Sequence, residues 1–208
     1  MCFRRLSGKI NSKESRKNMT KENLIIALVS TALAWGFVWY YSKTRKTPAP
    51  KTDRAFLLKL GGCFLFALLC AMPAAGKLGT VLMILIFLIA DIDILIGKIP
   101  TELLAALVVL ILVSRIPSIG LIVVIVLVCA AVWVFRAKIG VAPYDILLFG
   151  ALGMLVPDAV SFIRYTAVSL ILWGVGGLIL RAWTKGKART IPLAPVFTFA
   201  LLIENFLR

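Results

Sequence analysis

Eight apolar runs occupy most of this chain, and they limit its fold more than any other feature. They lie at 24–41, 55–75, 78–96, 103–116, 119–135, 146–156, 159–180 and 192–207, and several are short for a full bilayer crossing. A spanning helix needs about 20 mostly apolar residues, and backbone polar groups inside lipid must be satisfied within the protein, so such runs fold as helices. With 208 residues, 61% of them apolar, the chain has room for about seven or eight helices and no sizeable soluble domain. The expected fold class is therefore all-α, a polytopic membrane helix bundle with about seven to eight transmembrane helices and the lipid bilayer as its surroundings. Turn formers mark the breaks: Pro73 with Gly76, Pro100, Pro117 with Gly120, Gly140 with Pro143, Pro157, and Gly186. No internal repeat is visible.

Lys and Arg number 24 against nine acids, a formal charge of +15. In a soluble domain this excess would suggest nucleic acid. Here the bases sit in short segments between apolar runs, where they act as topology signals and contacts to anionic lipid, so no nucleic-acid partner is expected. The segments 42–54, 97–101 (with Lys98), 136–144 and 181–190 carry bases and alternate with turns near Gly76, Pro117 and Pro157, where only Lys77 and Arg115 lie close by. That asymmetry places the base-rich side in the cytoplasm. The first 23 residues break the pattern, because Arg4, Arg5, Lys9, Lys13, Arg16, Lys17 and Lys21 would lie outside if 24–41 crosses fully. Either the first run crosses incompletely, or translation starts at Met19 instead of Met1. The second is the expectation adopted, with 1–18 an unstructured basic leader.

The chain contains no histidine, which removes Ser/His/Asp triads, Cys/His pairs and HExxH zinc sites from the possible chemistries. Cys2, Cys63, Cys70 and Cys129 form no CxxC pair. They read as small apolar side chains, with neither a metal site nor a disulfide framework. No cofactor and no metal are expected.

Any chemistry must then rest on acids. Glu14, Glu22 and Asp53 belong to polar segments, leaving Asp91, Asp93, Glu102, Asp145, Asp158 and Glu204 in or beside the apolar runs, where an ionisable group is costly. Asp158 reads as a solvated turn acid, Glu102 as a first-turn partner of a helix dipole, and Glu204 as a terminal acid that snorkels or pairs with Arg208. Asp91 and Asp93 end the third run and Asp145 opens the sixth, so all three lie on one side of the membrane. Positions two apart on a helix differ by roughly 200°, so only one of Asp91 and Asp93 can face Asp145. Two facing carboxylates share a proton, since both cannot easily ionise together. The competing structural reading pairs Asp93 with Lys98, and Asp145 with Arg136 or Lys138.

The stretch Asp93-Ile-Leu-Ile-Gly-Lys-Ile-Pro100 resembles the Asp-x6-Pro segment of the type 4 prepilin peptidases, leader peptidases of the GxGD aspartyl class. In the same family order, Ala142-Pro-Tyr-Asp145-Ile-Leu-Leu-Phe-Gly-Ala-Leu-Gly153 is similar to the second motif and its Leu-Leu-Ala-Ala-Leu-Gly-like helix. Ile191-Pro192-Leu193-Ala194-Pro195 resembles the signature that opens the last helix. The resemblance covers 78–208 and implies that Asp93 and Asp145 are the catalytic pair, with Asp91 outside it. Ala142 and Tyr144 replace both glycines of the second motif, and Leu147 replaces a usual lysine. The segment 42–54 has no cysteine and cannot be the cysteine-tetrad loop associated with N-methylation, so a short, divergent, single-function member is implied.

On this reading the chain divides into a basic N-terminal segment at 1–23, N-terminal membrane helices with a basic cytoplasmic loop at 24–75, and a catalytic membrane domain at 76–208. The implied activity is aspartic endopeptidase cleavage of the basic leader of a prepilin or pseudopilin-like substrate, in a bacterial inner membrane. Two other functions compete with it: a catalytically inactive assembly or scaffold protein of a pilus or secretion system, and a transporter carrying protons on Asp93 and Asp145. Absence of mid-span acids and of a repeat weighs against transport.

Overall fold

The computed structural model describes residues 12–44, 54–70, 76–183 and 192–206. Eight helices account for nearly all of them: α1 (Ser12–Thr44), α2 (Arg54–Cys70), α3 (Gly76–Ile96), α4 (Thr101–Ser114), α5 (Ile119–Ile139), α6 (Pro143–Gly153), α7 (Ala159–Trp183) and α8 (Leu193–Phe206). Each apolar run has become one helix, and no strand occurs among the described residues. One expectation fails at the N-terminus. Residues 12–18 were expected to be unstructured, yet α1 begins at Ser12. Lys, Glu and Arg are good helix formers, and the segment extends a helix that the following apolar run already nucleates.

Four of the helices contain stretches long and apolar enough to cross a bilayer: Asn23–Thr44, Leu78–Ile96, Ile119–Lys138 and Ala159–Ile179. The other four are apolar but shorter, and α6, with 11 residues, rises only about 16 Å against a hydrocarbon thickness of roughly 30 Å. Exposed large side chains such as Val113, Ile119, Leu127, Val134, Leu170 and Leu178 form apolar surface beyond what a soluble protein tolerates. The chain is a multi-pass membrane protein, and these side chains face lipid.

The centre of the bundle is α3. Half of its span, 50%, is buried inside the protein, against 11% for α5, and it contacts α1, α2, α4 and α8. A helix that is apolar all round belongs in such a place. Towards α1 and α2, α3 presents Leu88, Ile92 and Leu95, which pack with Ala34, Val38, Phe56 and Cys63. Towards the later helices it presents Ile86, Ile89 and Ala90, which join a larger core with Leu104, Leu107, Leu148, Leu152, Phe197 and Leu201. Phe149, Phe162, Tyr165 and Phe197 form an aromatic cluster binding α6, α7 and α8 together, with ring centroids 5.1 to 6.0 Å apart.

Close approach in this region depends on small residues. A Cβ on Gly150 would come within 3.1 Å of Cys129 Sγ on α5, and one on Gly153 would run into the Phe162 ring on α7. Gly97 (φ 65°) and Gly140 (φ 71°) end α3 and α5 in the left-handed conformation that other residues adopt at a cost. The Gly97 amide donates to the Asp93 carbonyl at 2.8 Å, closing α3 right after the segment that carries the acids.

Candidate functional site

Three helix ends converge where Asp93 lies: the C-terminal end of α3 and the N-terminal ends of α6 and α8. The reason begins with α8. Its first turn offers the amides of Leu193 and Ala194, but Pro192 and Pro195 have none, and Pro192, at the cap position, has no side-chain acceptor. A helix start left in that state carries orphan donors that need an acceptor from elsewhere. Asp93 is that acceptor. Its Oδ2 receives the Ala194 amide at 2.9 Å across the α3–α8 interface, and the Leu193 amide also faces it. The carboxylate is 5% exposed, so its orientation is fixed by two backbone donors and by the helix dipole behind them.

Asp145 is held by the same physics within its own helix. Pro143 opens α6 with its φ preset for a first helical position, and Asp145 reaches back so that Oδ2 accepts the Ala142 amide at 3.0 Å. This is one half of a capping box. Ala142 has no side-chain oxygen to supply the other half. The carboxylate is half-buried, and it is the charged group that acts on Asp93. The structure thus brings the two sequence-selected aspartates to one end of the bundle, each with one oxygen engaged by a backbone amide. Tyr144 and Leu147, which stand at the altered positions of the second motif, are 45% and 55% exposed.

The structural alternatives for these acids are absent. Neither Asp93 with Lys98 nor Asp145 with Arg136 or Lys138 forms an ion pair; Arg136 lies over the Trp133 ring at 4.0 Å. Asp91 turns away from both, as the helical-direction argument requires. It is fully buried towards α1 and α2, with Thr31 Oγ1 3.5 Å from its Oδ2. Lys98 and Pro100 follow Gly97 and lead into α4, whose first turn holds Glu102 as expected.

One of the remaining acids takes a role different from the one expected, and another gains a specific task. Glu204 is fully buried and pairs with Arg164 of α7, Nη2 to Oε1 at 3.3 Å; the expected partner Arg208 lies outside the described residues. A buried acid one turn from a helix end is too deep to snorkel when a base on the neighbouring helix can reach it. Asp158 is exposed as expected but has a specific task, since its Oδ1 accepts the Ser161 amide at 2.8 Å and caps the start of α7. Sequence reading also missed the two backbone donors on Asp93. The signal was present in Pro192-Leu-Ala-Pro195, a helix start with free amides and no local cap.

Two carboxylates held this way can divide acid and base roles between them. Neither forms an ion pair, among the described residues, with a base that would fix its charge. Among the described residues, no group of three His, Cys, Asp or Glu side chains is placed to hold a metal. No family model, curated protein or solved structure matches this chain.

Proposed function

We propose that this chain is a membrane aspartic endopeptidase of the prepilin-peptidase type, acting on a protein with a short basic leader before an apolar helix at the cytoplasmic face of a bacterial inner membrane. The observation that carries the proposal is that Asp93 and Asp145, on helices distant in sequence, lie close enough for the charge of Asp145 to act on Asp93, with no base paired to either among the described residues. In the reaction, one aspartate takes a proton from water as its oxygen attacks the leader carbonyl, and the protonated partner gives its proton to the carbonyl oxygen. Collapse of the tetrahedral gem-diol breaks the C–N bond: the leaving nitrogen takes a proton from the carboxyl that first accepted one, and a diol hydroxyl returns its proton to the partner carboxylate. The order of the three motif-like segments in the sequence supports this reading, as does the position of the α8 start against Asp93. The basic loops are suited to the phosphate side of a cytoplasmic leaflet.

One observation favours a different function. The bond from Ala194 to Asp93 is also what a purely structural tertiary cap would make, and a scaffold protein would need no more. Incubating the reconstituted full chain with a peptide of Lys/Arg-rich leader, glycine and apolar helix separates the two. The peptidase reading expects a product starting just after the glycine, formed equally in the presence of EDTA. An intact peptide, or a zinc-restored activity, would reject it.

A further inference from the structure

The end of the bundle away from the two aspartates carries a second set of polar contacts, which the proposed chemistry does not use. It begins at Arg115, just after α4. Arg115 Nη1 donates to the Leu155 carbonyl at 3.4 Å and Nη2 to the Pro157 carbonyl at 3.1 Å, so its guanidinium grips the turn between α6 and α7. In the same turn Asp158 caps α7 through the Ser161 amide. Ser161 extends the connection, since its Oγ accepts from Arg164 Nη2 at 3.2 Å, and that nitrogen also lies 3.3 Å from Glu204 Oε1 on α8. One polar chain thus runs from the end of α4, across the α6–α7 turn, to the end of α8.

On the expected sidedness this end lies away from the cytoplasm, where Lys and Arg are disfavoured, so topology does not account for Arg115 and Arg164. Arg115 is exposed and Arg164 half-exposed, and bonds made by exposed charges contribute little to stability. What they hold is specific. They grip the far ends of α6 and α8, the two helices whose near ends reach Asp93. Met154, Leu155 and Val156 donate their amides back to carbonyls of Gly150 to Gly153 at 3.0 to 3.3 Å, so the turn moves with α6 as one piece. Asp145 lies eight residues before Gly153, about 12 Å along a stiff helix. On α8, Glu204 follows Ala194 by ten residues, about 15 Å. Glu204 is fully buried, and a buried charge is costly to part from its base.

We propose that Arg115 and Arg164 are positioning residues, which through these contacts fix α6 and α8 along their axes and so set where Asp145 and the Ala194 amide meet Asp93. The fixed point is α3, the most buried of the long helices. The effect on cleavage rests on the peptidase reading above, whereas the placement of α6 and α8 stands apart from it.

The test is hydrogen exchange at the Leu193 and Ala194 amides of the full chain in nanodiscs, far along α8 from the substituted end. Arg164→Gln speeds exchange there about tenfold, the weight of one hydrogen bond to a charged group, and Arg164→Lys recovers most of the protection. Should Arg164→Gln fail to fold with Glu204 left charged, Arg164→Leu combined with Glu204→Leu strands no charge and takes its place. Spin labels at Lys98 and Leu147, both exposed, in a background lacking the native four cysteines, follow α6 against α3. Arg115→Gln shifts or broadens that distance by roughly two residue rises of 1.5 Å. With the leader peptide, Arg115→Gln and Arg164→Gln lower kcat about tenfold and leave KM unchanged. Unchanged exchange in a folded Arg164 variant, faster exchange spread evenly over all helices, or an unchanged label distance in Arg115→Gln would overturn the proposal. A native chain that cleaves no leader would reject the peptidase reading instead, and exchange and distance would still decide the placement of α6 and α8.

Discussion

Asp93 carries two demands on one side chain, and substitutions separate them. Asparagine keeps an oxygen that can accept the Ala194 amide, whereas alanine leaves the start of α8 uncapped. Asp93→Asn is therefore expected to stay within about 0.5 kcal/mol of the native stability, while Asp93→Ala loses about 1–2 kcal/mol. Denaturation in mild detergent measures both, and equal losses would show that the bond at 2.9 Å contributes nothing to folding. At this scale helical direction was legible in the sequence, for Asp91 and Asp93, two positions apart, face different helices, α1 and α8. The sequence was uninformative about backbone donors. An amide has no residue type of its own, and only the two prolines flanking Leu193 and Ala194 hint that these amides need an acceptor. Glu204 was misassigned for a related reason: its partner Arg164 lies 40 positions away in sequence, and only packing of α7 on α8 brings them together.

At the scale of helices, hydropathy located all eight, since apolar runs in a membrane protein coincide with elements. Their ends were less legible. The α1 start at Ser12 lies in polar sequence where hydropathy has no signal and only propensity speaks. Length separates the four helices long enough to cross a bilayer from the short α6 of 11 residues. The seating of α6 depends on Gly153 beneath the Phe162 ring. Phe149 and Tyr165 flank that ring, so it cannot retreat. Gly153→Ala is expected to destabilise by about 1–2 kcal/mol, overpacking outweighing the helix-propensity gain. Gly174→Ala on α7, where a Cβ would meet nothing within 4 Å, is expected to be neutral or stabilising by up to ~1 kcal/mol. A reversed order in thermal unfolding of the two variants would show that α6 is not packed in this way.

For the whole molecule, the convergence of three helix ends has meaning only if that end faces the substrate leader. The base-rich segments set the expected sidedness, so single cysteines at Lys98 and Lys138, in a background lacking the native four, should resist an impermeant thiol reagent in intact cells. One at Ser118 should react. Labelling at Lys98 and Lys138 from outside would put both aspartates on the wrong side of the membrane for an uncleaved leader. The central claim, that Asp93 and Asp145 act together on a peptide bond, is tested most directly by co-expressing a leader-bearing substrate with Asp93→Asn, Asp145→Asn and Asp91→Asn variants, each checked for folding. The account predicts that both of the first two leave the leader attached, at least 100-fold below native cleavage by the usual weight of an acid–base residue, while Asp91→Asn still cleaves. Full processing by a folded Asp93→Asn or Asp145→Asn protein would contradict it.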